Sequence, residues 1–160
     1  MGTATDANLP NANAIPPPPR IESDDEVYLF GFPLYDLPAA YRSLVDANWQ
    51  PDPRKEGDFP DLMAILEVVR RRTPPGIKVT LLEVWAPNAD LREDKILSMV
   101  AVASASMDCP AGSVRRSEEE LAAVAHAAKV PEVEDVKPVW LLSAWRYDEL
   151  KEFDCPGLEV

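Results

Sequence analysis

Lys95-Ile96-Leu97-Ser98-Met99-Val100-Ala101-Val102-Ala103-Ser104 is the stretch on which the fold depends. As a strand, it gives the element order β-α-α-β-β-α-β, an antiparallel sheet with helices on one face. As a helix, it gives β-α-α-β-α-α-β, the pattern of a parallel, doubly wound sheet. Periodicity cannot separate the two in so short an apolar run. Two valines, an isoleucine and two serines suit a pleated surface, whereas the alanines and Met99 suit a helix. The strand reading predicts an α+β fold: a ferredoxin-like β-α-β-β-α-β sandwich with one inserted helix. The alternative is an α/β parallel sheet.

Upstream, Ile77 to Trp85 reads as the partner strand. Ile77, Val79, Leu81, Glu83 and Trp85 share one face by alternation, and Lys78, Thr80, Leu82 and Val84 share the other. The polar run 86–94 then makes these two strands a hairpin with a long connection. Val27-Tyr28-Leu29-Phe30-Gly31-Phe32 is apolar on both faces, which predicts a central strand ended by Pro33. Asp36-Leu37-Pro38 has the form of an N-cap followed by a first-turn proline. Leu37, Ala40, Tyr41, Leu44 and Val45 form one helical stripe, with an end expected near Asn48. After the loop 50–57, Asp58-Phe59-Pro60 repeats the helix start, and Leu62, Ile65, Leu66 and Val69 give a second stripe. Arg70-Arg71-Arg72 then falls where the helix dipole favours cations, a simpler account than a phosphate site.

Downstream, Ser117 and Glu120 have capping-box spacing before Leu121, Val124, Ala125 and Ala128. Pro131 should end that helix. Val139 to Trp145 reads as the last strand, and Tyr147, Leu150 and Phe153 suggest a short helix after it.

Composition divides the chain into an arm at 1–24, a single α+β domain at 25–155 and a loose tail at 156–160. The arm carries Pro16-Pro17-Pro18-Pro19-Arg20, which favours an extended polyproline spacer. It closes on Glu22, Asp24, Asp25 and Glu26. Its low apolar content gives it no core of its own, so it is expected to be flexible.

The chain has 160 residues and a formal charge of -12. That field repels nucleic acid and anionic membranes, so neither is expected as a partner, and a basic protein is favoured. No apolar run approaches the length of a membrane span and no secretory signal is evident, so a soluble, cytoplasmic protein is expected. In that compartment Cys109 and Cys155 are expected as two thiols.

Few residues suggest chemistry. His126 is the only histidine, which leaves no multi-histidine metal site and no support for a catalytic triad. The glycines are scattered and form no phosphate loop. No metal and no cofactor are expected. Glu83 is the one weak catalytic candidate: a carboxylate between Leu81 and Trp85 on an apolar face either pairs, shifts upward in pKa or marks a cavity. Trp85 and Trp145 end two different strands and could line a pocket or partner surface. With Glu83 and Tyr28 they complete the candidate binding set.

The string Val27-Tyr28-Leu29-Phe30-Gly31-Phe32 resembles the first-strand RNP2 motif of RNA-recognition motifs, a family that also has β-α-β-β-α-β order. The likeness extends to these six residues. The third strand should carry stacking aromatics, and here it offers Leu97, Met99 and Val102. The resemblance therefore implies the ferredoxin-like topology more than RNA binding.

Two functions follow as expectations. In the first, the chain is an acidic, non-enzymatic protein–protein interaction or regulatory module. In the second, two copies form a homodimeric α/β barrel that binds or transforms a small apolar molecule, with Glu83 as acid or base.

Overall fold

The computed structural model describes residues 13–54, 60–86, 96–110, 112, 114–129, 137–150, 152 and 155–157. The fold is α+β with a four-stranded antiparallel sheet. Its strands are β1 (Val27–Leu34), β2 (Thr80–Trp85), β3 (Ile96–Ser106) and β4 (Val139–Leu142). Among the described residues the helices are α1 (Leu37–Leu44), α2 (Leu62–Arg72), α3 (Glu118–Ala127) and the single turn α4 (Tyr147–Leu150). The deciding stretch is a strand from Ile96 onward, and Lys95 lies outside the described residues. The strands lie in the order β2-β3-β1-β4, and every pairing is antiparallel. A parallel α/β sheet is excluded.

β3 and β1 are the central strands, and their packing explains the composition of the deciding stretch. A bulge between Phe30 and Gly31 places Phe30 opposite Ala103 and Gly31 opposite Ala101, leaving Val102 as the extra residue. The backbones approach so closely there that a Cβ on Gly31 would collide with the Val100 carbonyl oxygen. Small alanines on β3 allow that approach, and this outweighs their helical propensity.

The helix face of the sheet buries Phe30, Phe32, Val100 and Val102 against Ala40 of α1, Ile65 and Val69 of α2 and Val124 of α3. Full burial of each large side chain contributes roughly 1.5–3 kcal/mol before entropy is counted.

The second face is also filled. Val27, Leu29, Leu82, Val84, Met99, Ala101 and Leu141 cluster there with Leu150 of α4 and Cys155. Part of the cause is the curl of the sheet. β2 and β4 are its two edges, yet Ser143 forms an isolated antiparallel bridge with Val84. Next to it, Ala144 N–H donates to the Glu83 carbonyl at 3.0 Å. The sheet thus wraps until its edges touch, in the manner of a barrel. The chain after β4 plugs the remaining opening, and the Ser104 hydroxyl donates to the Pro156 carbonyl at 2.7 Å.

Two of the three described helix caps are those expected from the sequence. Asp36 accepts from Ala39 N–H at 3.0 Å and starts α1. Ser117 and Glu120 form the reciprocal capping box of α3. The cap of α2 is Asp61, which accepts from Met63 N–H at 3.0 Å and Ala64 N–H at 3.4 Å. The cap expected at Asp58 lies outside the described residues, as do Pro131, Phe153 and most of the loop expected at 86–94. α1 stops at Leu44, short of Asn48, and β2 begins at Thr80 rather than Ile77.

Residues 13–21, expected as part of a free arm, pack on the domain. Ile15 joins the helix-face core and is 8% exposed, as is Ile21. Ala14 N–H donates to the Arg116 carbonyl at 2.6 Å. Asn13 Oδ1 accepts from Arg116 N–H at 3.1 Å, and the Trp140 indole N–H donates to the Pro16 carbonyl at 2.8 Å. Composition hid this because two isoleucines suffice to anchor a segment that could not fold alone. The earlier part of the arm, residues 1–12, lies outside the described residues, as does 158–160 of the tail.

Candidate functional site

Glu83 and Trp145 come together; Trp85 and Tyr28 stay apart from them. Glu83 is half-buried on β2, opposite Ser98 of β3. With Leu62, Leu81, Leu82, Ser98 and Trp145 it lines a cavity of about 90 Å³, well below the roughly 300–1,000 Å³ of a small-molecule pocket. The Glu83 main chain is occupied by the edge-to-edge contact with Ala144, and Trp145 packs against the second-face cluster. Trp85 ends β2 opposite Ile96. Tyr28 sits between Ala105 and Leu142. Burial raises the Tyr28 hydroxyl pKa above its ordinary value, and the nearby charges of Glu26 and Glu22 add to the shift.

The β1 aromatics that resemble RNP2 do not form a stacking platform. Phe30 and Phe32 are 1% and 3% exposed in the helix-face core. Phe30 instead meets the Trp140 ring at a centroid distance of 5.2 Å.

Other motifs are absorbed by the fold. Arg70 Nε donates to the Val79 carbonyl at 3.1 Å, and Arg72 donates to the His126 carbonyl at 3.1 Å. Two of the three consecutive arginines therefore tie down main chain. His126 is exposed on α3. Neither Cys109 nor Cys155 is in a disulfide. Among the described residues, no group of three or more His, Cys, Asp or Glu could hold a metal ion, and no helix is long and apolar enough to cross a membrane.

A larger space than the Glu83 cavity lies beside α1 at the start of β3, and Ser98 lines both. A cleft of about 400 Å³ is walled by Leu34, Leu37, Pro38, Trp49, Pro51 and Leu97. Tyr35 and Ile96 stand on its rim, 48% and 46% exposed. Ser98, Arg42 and Tyr35 are lining residues with polar side-chain groups. Arg42 Nε donates to the Trp49 carbonyl at 2.9 Å. Its guanidinium carbon lies 5.7 Å from the Trp49 ring centroid, within reach of a cation–π contact.

Sequence reasoning missed this cleft. Its residues come from the end of β1, α1, the loop after α1 and the start of β3, so no short motif holds them. The one available signal was Trp49, a tryptophan outside any strand in a proline-rich loop.

No known protein family matches the chain, and no curated protein or solved structure matches it.

Proposed function

We propose that this chain is a non-enzymatic interaction module that receives a protein partner at the cleft between α1 and β3. The carrying observation is the exposure of Tyr35 and Ile96 at the mouth of an apolar space of about 400 Å³. Large apolar side chains grouped around a concavity mark binding surfaces. Met63, the most exposed large apolar residue described at 68%, lies on α2, and the exposed Val45 is the C-cap of α1. The charge of -12 favours a partner of basic overall character.

The frame for this surface is a ferredoxin-like topology with α2 as the inserted helix. The order β2-β3-β1-β4, with every pairing antiparallel, supports it. The dimeric-barrel alternative requires an open sheet face to enclose a ligand. Leu82, Met99, Leu141 and Leu150 occupy that face, and the Glu83 cavity is about 90 Å³.

The test uses the full chain as an affinity bait beside a variant carrying Tyr35→Ala and Ile96→Asp. A partner held by the unaltered chain and released by the variant supports the cleft. A partner held equally by both overturns it.

A further inference from the structure

Arg42 is a cation already held in place. Nε is engaged by the Trp49 carbonyl and the guanidinium lies over the Trp49 ring. Tyr41 meets the same ring edge-on, with centroids 5.6 Å apart. The ion pairs among the described residues are Arg54–Asp52 and Arg116–Glu120. Among those residues, then, no carboxylate engages the two terminal nitrogens of Arg42. Such a fork matches a carboxylate in shape and charge. Because stacking has already restricted the side chain, little further freedom is lost on binding.

The rest of the cleft sets the remaining requirement. Leu37, Pro51 and Leu97 offer only apolar contact. Resting on the partner-binding reading above, we infer that the cleft takes a peptide segment of the partner presenting one carboxylate to Arg42. A neighbouring aromatic or aliphatic side chain fills the apolar wall. The net charge of -12 limits the acidity of that segment. A polyacidic run is repelled by the whole molecule, whereas a single carboxylate in a neutral or basic stretch meets the local cation.

The experiment titrates the full, isotope-labelled chain with two acetylated, amidated pentapeptides. One has a single glutamate between leucine and phenylalanine, with lysine at each end; its twin has glutamine in place of the glutamate. The expected result is movement of the Trp49 indole and Ser98 amide signals, with the glutamate peptide binding about 5-fold tighter, as one charge-assisted hydrogen bond at an exposed site provides. Arg42→Gln should bring the two peptides to equal affinity while signals outside the cleft stay in place. Equal affinity for the unaltered chain overturns the carboxylate assignment and leaves the cleft reading standing. Failure of both peptides overturns the assignment too, and the bait comparison then reports on the cleft by itself. Movement confined to residues away from the cleft overturns both.

Discussion

The second face of the sheet and the α1–β3 cleft are both lined by apolar side chains, but only the cleft has room for a ligand. On the second face, the curl of the sheet brings Val84 to Ser143, and Leu150 and Cys155 close what remains. Trp145 is packing material there, and Glu83, on the opposite side of β2 with Leu81, lines a space of only about 90 Å³ beside Leu62. In the cleft, Trp49 is held by Tyr41 and Arg42 at the margin of a space of about 400 Å³. The contrast teaches that an aromatic or a carboxylate at a strand end becomes a site only where the chain leaves the neighbouring volume empty.

Substitutions in the two regions should behave very differently. The largest effect is expected inside the sheet. Met99 and Val100 are 0% and 1% exposed and face opposite sides of β3. Met99→Asp and Val100→Asp each bury an unpaired carboxylate and should cost about 3–5 kcal/mol, read as the loss of a cooperative thermal transition. A mild effect of Met99→Asp would mean that the second face is open, and the contrast would fail.

The docked N-terminal segment comes next. Ile15→Ala should lower stability by about 2 kcal/mol through the cavity it leaves in the helix-face core. Trp140→Phe should cost about 1 kcal/mol through the lost hydrogen bond to the Pro16 carbonyl. Chemical denaturation measures both. An unchanged midpoint for Ile15→Ala would return residues 13–21 to the status of a free arm.

Smaller still is the cap of α3, where Ser117→Ala should cost about 1 kcal/mol. The backbone N–H of Ser117 donates to the Glu120 carboxylate and holds its pKa below the ordinary value, although partial burial opposes the shift. Because the folded pKa is the lower one, this contribution is complete above the unfolded pKa of roughly 4.3. It is lost as pH falls through the folded value. Glu120→Gln should remove that acid-side slope, which a series of thermal melts between neutral and acid pH detects.

The smallest effects are expected at the cleft rim and at Glu83. Ile96→Asp and Glu83→Gln should each change stability by less than about 0.5 kcal/mol, since neither creates a cavity nor buries an unpaired charge. Ile96→Asp should nevertheless abolish partner capture, and Glu83→Gln should leave it unchanged. Loss of capture by Glu83→Gln would move the site to the small cavity that Glu83 lines with Trp145.

The sequence carried the fold wherever a local rule had no competitor. The Asp36 cap, the Ser117–Glu120 capping box and the stripes of α1 to α3 are all present. The deciding strand was ambiguous for a physical reason: its alanines serve the close approach of β1 at Gly31, a tertiary requirement that resembles helix propensity. The candidate site was less legible. Alternation placed Glu83 and Leu81 on one face, but it carries no information about the curl that brings Ser143 to Val84. Nor does it show that the chain after β4 fills the second face. The cleft depends on where the loop after α1 returns, and proline-rich loops have no periodicity to read.

The most direct test of the cleft as the binding face uses the four tryptophan indoles as reporters in one experiment. The full, isotope-labelled chain is titrated with p-cresol, a small neutral aromatic probe, while the indole N–H signals of Trp49, Trp85, Trp140 and Trp145 are followed. The account predicts a saturable shift of the Trp49 signal, with those of Trp140 and Trp145 unmoved. A shift of the Trp145 signal with Trp49 unchanged would contradict it and place the accessible site against Glu83.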